Sequence, residues 1–93
     1  MAHNPRYSRW TDENWQAYAP TIGHIYDQQW RMWAVCRGCG LEVDIKSDQL
    51  VRRRGRAWSP WGVTSPCVRR GCHARMAWRT TNGHAGRDIW LSA

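Results

Sequence analysis

Apolar and polar residues alternate along three stretches of the chain. Leu41, Val43 and Ile45 alternate with Glu42, Asp44 and Lys46, which predicts a half-buried strand. Residues 29–35 place Trp30, Met32 and Ala34 on one face and Trp33 and Val35 on the other. Ala74, Met76 and Trp78 alternate with Arg75, Ala77 and Arg79, a further strand with a basic outer face. Asn82-Gly83 signals a turn, and Asp88 to Leu91 reads as a last short strand. Between the first two strands and the third, Ser47 followed by Asp48 opens a short helix over 48–54. Gly55 closes that helix, and Leu50 and Val51 form its buried side. Residues 56–66, with Trp58, Pro60, Trp61 and Pro66, read as a loop.

The first 27 residues lack such a period. Trp10, Trp15, Tyr18, Ile22, Ile25 and Tyr26 are spaced irregularly, and Pro5 and Pro20 interrupt any long helix. Thr11 is a fitting N-cap for a short helix to about Tyr18, with Asp12 and Glu13 in its first turn. The pattern predicts an extended aromatic and polar arm over 1–27, attached to a domain over 28–93 that ends in a short tail. Trp10, Trp15 and Tyr18 are the arm's candidate contacts, lying across the domain or a partner.

Composition sharpens this picture. Leu, Ile, Val and Phe supply only twelve of 93 residues, and the net charge is +7, a combination that ordinarily predicts disorder. Eight Trp and four Cys point the other way, because indoles bury much area per residue and clustered cysteines can cross-link a small core. A large enzyme with a deep apolar pocket is excluded. The charge is segregated: residues 1–35 balance, whereas 49–87 hold nine Arg and no acidic residue. Arg outnumbers Lys by 13 to 1, which suits bidentate contacts to phosphate or carboxylate. The longest apolar run, Met32 to Cys36, is too short for a membrane span, and the N-terminus has no apolar signal segment. The expectation is a cytoplasmic protein, or one within a particle assembled there, in a reducing environment.

The cysteines carry the clearest chemistry. Cys36 and Cys39 form Cys-x2-Cys, a 27-residue gap follows, and Cys67 and Cys72 form Cys-x4-Cys. Two close pairs on turns, joined by a linker, are how a tetrahedral zinc site is assembled. Gly38 and Gly40 fit a left-handed turn that aims amides at the thiolates. Structural Zn2+ on four thiolates is the expected cofactor. Two disulfides remain the alternative should the chain meet oxidising conditions. His73 is the substitute ligand should Cys67 or Cys72 not bind, and otherwise reads as an exposed strand residue. No βαβ pattern accompanies CRGC, and no carboxylate pair, phosphate loop or Ser/His/Asp set is present. A closed four-thiolate site leaves no position for catalytic water, so an enzyme is not expected.

From about Tyr26 to Arg79 the chain resembles small, mostly uncharacterised zinc-ribbon proteins of proteobacteria and their phages. The resembling segments are CRGCG, LEVDIKSDQLVRRRG and AWSPWGVTSPCVRRGCHARMAW. The resemblance implies a metal-stabilised, β-rich α+β domain of zinc-ribbon type, with Cys36, Cys39, Cys67 and Cys72 as ligands. It implies little about function. WSPW at 58–61 resembles the tryptophan motif of thrombospondin type 1 repeats, but those need six cysteines in another order.

Two functions fit these features. One is a non-enzymatic zinc-binding interaction module, an accessory subunit of a larger assembly such as a virion, held by its arm. The other is a nucleic-acid-binding zinc ribbon of regulatory type. It would use Arg52, Arg53, Arg54, Arg56, Arg69, Arg70, Arg75 and Arg79 on phosphates, with Trp58 and Trp61 stacking on bases. Neither needs a membrane or a small-molecule substrate.

Overall fold

The computed structural model describes residues 10–82, 85 and 87–92. Helix α1 (Asp12–Tyr18) starts at a capping box: the Asn14 amide donates to Thr11 Oγ1 at 3.3 Å, and the Thr11 amide donates to Asn14 Oδ1 at 2.9 Å. Pro20 separates it from α2 (Ile22–Asp27), whose first amides are all satisfied. Ile22 N–H donates to Trp58 O at 2.8 Å, Gly23 N–H to Arg56 O at 3.0 Å, and His24 N–H to Thr21 Oγ1 at 3.4 Å. The start of the stretch expected as a loop therefore clamps a helix terminus.

Five antiparallel strands follow: β1 (Arg31–Cys36), β2 (Glu42–Ile45), β3 (Thr64–Pro66), β4 (Arg75–Thr81) and β5 (Ile89–Trp90). The order is β2-β1-β4-β3, and β5 pairs with β4 on the edge that β3 leaves free. Register puts Met32 between Ile45 and Thr80, Ala34 between Val43 and Trp78, and Cys36 beside Met76, all on the core face. Trp33 is buried on the opposite face, with the Arg31 guanidinium 5.2 Å from its ring centroid. The three alternating stretches thus form β1, β2 and β4, but on the expected basic outer face of β4 only Arg75 is exposed, with Ala77 buried and Arg79 half-buried. Strand β3 lies inside the expected loop. Helix α3 (Ser47–Arg54) starts one residue early, with Lys46 at its N-cap and no side-chain capping bond. Of the expected Asn82-Gly83 turn, Gly83 lies outside the described residues.

Residues 10–27 form the expected short helix and lay their aromatics across the domain, but they are not an extended arm. Trp15 is 1% exposed, and Ala19, Ile22 and Ile25 are fully buried in one core with Met32, Ala34, Met76, Trp78, Ile89 and Leu91. Trp10 lies 4.6 Å from Trp15 between ring centroids, and Trp15 meets Trp30 edge-on at 5.6 Å. Tyr18 stacks on Trp30 and is 47% exposed. Arg87 ties the segment to the last strand, donating to Asp12 Oδ1 at 2.7 Å and to Trp10 O at 3.0 Å. Two capped helices meeting at Pro20 bring apolar side chains together that an extended chain would spread apart. The boundary at 27/28 separates nothing in this core. No helix among the described residues is long and apolar enough to cross a membrane.

Candidate metal centre and basic surface

Each cysteine pair sits on a turn of the sheet. Cys36 ends β1, where its N–H donates to Leu41 O at 2.8 Å and Gly40 N–H donates back to Cys36 O at 3.1 Å. Gly40 has φ +78°, the left-handed conformation the turn requires. Gly38 is needed for a different reason than expected: a Cβ there would lie 2.7 Å from Ala74 Cβ and 3.8 Å from the Cys36 and Cys72 sulfurs. The second turn joins β3 to β4. Cys67 N–H donates to Ala74 O at 3.1 Å and Cys72 N–H to Arg69 O at 3.1 Å, and Gly71 has φ +85°. Strands β1 and β4 are neighbours with Cys36 opposite Met76, and Arg37 N–H donates to Arg75 O at 3.2 Å. Pairing of the central strands therefore brings the two turns face to face.

The four sulfurs lie within 4.8 Å of one another. Cys36 Sγ is 3.6 Å from Cys72 Sγ, and Cys39 Sγ is 3.6 Å from Cys67 Sγ. A tetrahedral zinc with Zn–S of about 2.3 Å has sulfur–sulfur edges of about 3.8 Å, so the group fits one such ion. All four cysteines are free. Backbone donors already point at the sulfurs: Gly38 and Cys39 N–H at 3.3 and 3.4 Å from Cys36 Sγ, and Arg69 N–H at 3.4 Å from Cys67 Sγ. The Cys39 amide above all lowers the Cys36 thiol to about 6, against the desolvation that burial imposes. At Cys67 the Arg69 amide also favours the thiolate, yet burial and the neighbouring sulfurs push that thiol up to about 12. A cation among the sulfurs would offset what opposes the Cys67 thiolate. His73 is exposed and outside the cluster.

The Arg residues expected to form one basic face divide into two sets. Each of the five Asp residues holds one Arg. Asp48 pairs with Arg52 at 2.7 Å, Asp44 with Arg31 at 3.2 Å, Asp88 with Arg79 at 3.7 Å and Asp12 with Arg87 at 2.7 Å, while Asp27 pairs with Arg56. Arg79 also lies 3.6 Å over the Trp90 ring, and Arg75 donates to Thr64 O at 2.9 Å. Arg54 covers Trp58 at 5.6 Å. Arg53, Arg69 and Arg70 are exposed and free of ion pairs among the described residues, as is Arg37 between Cys36 and Gly38, which sequence reasoning missed. Its place in the first cysteine turn was the available signal. Helix α3 leaves β2 after Ile45, opposite Met32, so it starts at the far end of the β1–β2 pair from Cys36.

Trp58 and Trp61 are not free stacking platforms. Trp58 meets Trp78 edge-on at 6.2 Å, and Trp61 Nε1 donates to Ala19 O at 2.8 Å; both are half-buried. They anchor the 56–62 segment over the helices. Fold and site define a small α+β domain with an antiparallel sheet and a four-cysteine cluster at metal-binding distance. Comparison of the chain with protein-family models, curated proteins and solved structures finds no match.

Proposed function

We propose that the protein is a non-enzymatic, zinc-ribbon-like interaction module in which one Zn2+ on Cys36, Cys39, Cys67 and Cys72 is structural. The observation that carries this reading is the mutual approach of the four sulfurs across two turns, at edges suited to a zinc tetrathiolate. Bound there, zinc would supply a cross-link that a core poor in aliphatic residues otherwise lacks. The Gly38, Cys39 and Arg69 amides hold the thiolates in place, and four protein ligands leave no open position for substrate. Thiolate ligation fits a reducing compartment, the cytoplasm or a particle assembled in it.

Membership of a larger assembly would not use Trp15 or the α2 apolar residues, which face the core, so a partner must meet the folded surface. X-ray absorption of the purified protein, with metal analysis, tests the reading. The expected result is one zinc per chain with four sulfur neighbours at about 2.3 Å. A metal-free chain with Cys36 disulfide-bonded to Cys72 and Cys39 to Cys67 would contradict it.

A further inference from the structure

The ion pairs sort the positive charge of the molecule. Five Arg are committed one by one to the five Asp, which leaves Arg37, Lys46, Arg53, Arg54, Arg69, Arg70 and Arg75 without an ion pair among the described residues. Three of them, Arg37, Arg69 and Arg70, belong to the two cysteine turns, and Arg75, braced on Thr64, directly follows the second turn. No carboxylate pairs with any of these four among the described residues. A zinc tetrathiolate between the turns carries two negative charges and Glu42, opposite Val35, a third, so four guanidiniums leave this end with a slight positive excess. The turns are braced by backbone bonds between them and by amides on the sulfurs, which fixes where the three free side chains start.

The chemistry of a matching surface follows from what this end lacks. A protein interface is centred on buried apolar and aromatic side chains. The large apolar residues exposed on the described surface are Tyr18, Val68 and Trp90, and only Val68, 71% exposed, lies on a cysteine turn. Base stacking on a single strand needs free aromatic faces. The second turn and its flanks offer none, since Trp58, Trp61 and Trp78 are engaged internally. What remains is a group of exposed guanidiniums on a braced backbone, whose planar forks suit phosphates.

Resting on the module reading above, we propose that the cysteine-turn end docks on the sugar–phosphate backbone of a nucleic-acid duplex, with Arg37, Arg69 and Arg70 contacting phosphates. Binding of this kind ignores base sequence and weakens steeply with salt.

The test titrates the zinc-loaded full chain against labelled DNA and RNA duplexes of about 20 base pairs, of two unrelated sequences, between about 50 and 200 mM salt. The wild-type protein should bind both sequences alike. The triple variant Arg37→Gln/Arg69→Gln/Arg70→Gln should bind more weakly on both, its log–log salt slope flatter by roughly 2.7, about 0.9 per lost phosphate contact. Arg53→Gln, an exposed Arg away from the cysteine turns, should leave the slope unchanged. The DNA and RNA arms say which duplex is the better ligand. Retained zinc and an unchanged Trp near-ultraviolet spectrum certify that the variants are folded. A wild-type slope in the triple variant would overturn the proposal, as would tighter binding to a single strand or to poly-glutamate. So would a four-sulfur zinc protein that binds no duplex, an outcome that leaves the module reading standing; a chain without metal removes that reading instead.

Discussion

Position 38 has no room for a side chain, because the two cysteine turns approach there to within contact of Ala74. Gly38→Ala must push the turns apart, since neither Cβ belongs to a flexible side chain. The expected effect is a loss of stability of about 1–3 kcal/mol, as for other overpacked sites, with weaker zinc retention in a chelator competition. Gly38→Ala/Ala74→Gly should recover most of both. Of this site, the cysteines were legible from spacing alone, since two close pairs with a long gap have few uses. The role of Gly38 was not, because its neighbour is 36 positions away and met only through β1–β4 pairing. Arg37 was overlooked for a related reason: a charge run draws notice along the chain, whereas this residue meets the second turn's flank only through its backbone bond to Arg75.

Among the elements, α1 forms as its Thr11 cap predicts, while α2 and the burial of both helices depart from the expected picture. A single amphipathic helix would show a 3.6-residue period, but Pro20 splits the segment into two pieces too short to display one. Their apolar side chains meet only after the turn, so the irregular sequence spacing hides a regular burial. Strands β1, β2 and β4 were legible because each alternates for several residues against one face. Thr64-Ser65-Pro66 has no such alternation and forms β3 only as the partner of β4. Trp15→Ala measures the difference between arm and core. It should lower the unfolding free energy in denaturant by about 3–5 kcal/mol, whereas half-exposed Tyr18 should cost much less on truncation. A free arm would leave stability unchanged for both.

For the whole molecule, the composition that borders on disorder is met by two compensations. Indoles from both chain halves, Trp15, Trp30 and Trp78 among them, fill the core that aliphatic residues do not. The thiolates close the end of the sheet where β1 leaves and β4 enters. With zinc on four thiolates the net charge would fall from +7 to about +5. The five Asp–Arg pairs are mostly exposed and contribute little to stability. On the proposed reading, a metal on the four clustered cysteines would be the cross-link that holds this end of the fold. Denaturant unfolding at a series of buffered free Zn2+ concentrations tests that directly. Above the dissociation constant, the unfolding free energy should rise by about 1.4 kcal/mol for each tenfold increase in free zinc, and Cys36→Ser should flatten that dependence. An unfolding free energy that stays the same from zinc-free to zinc-saturated buffer would contradict a structural zinc.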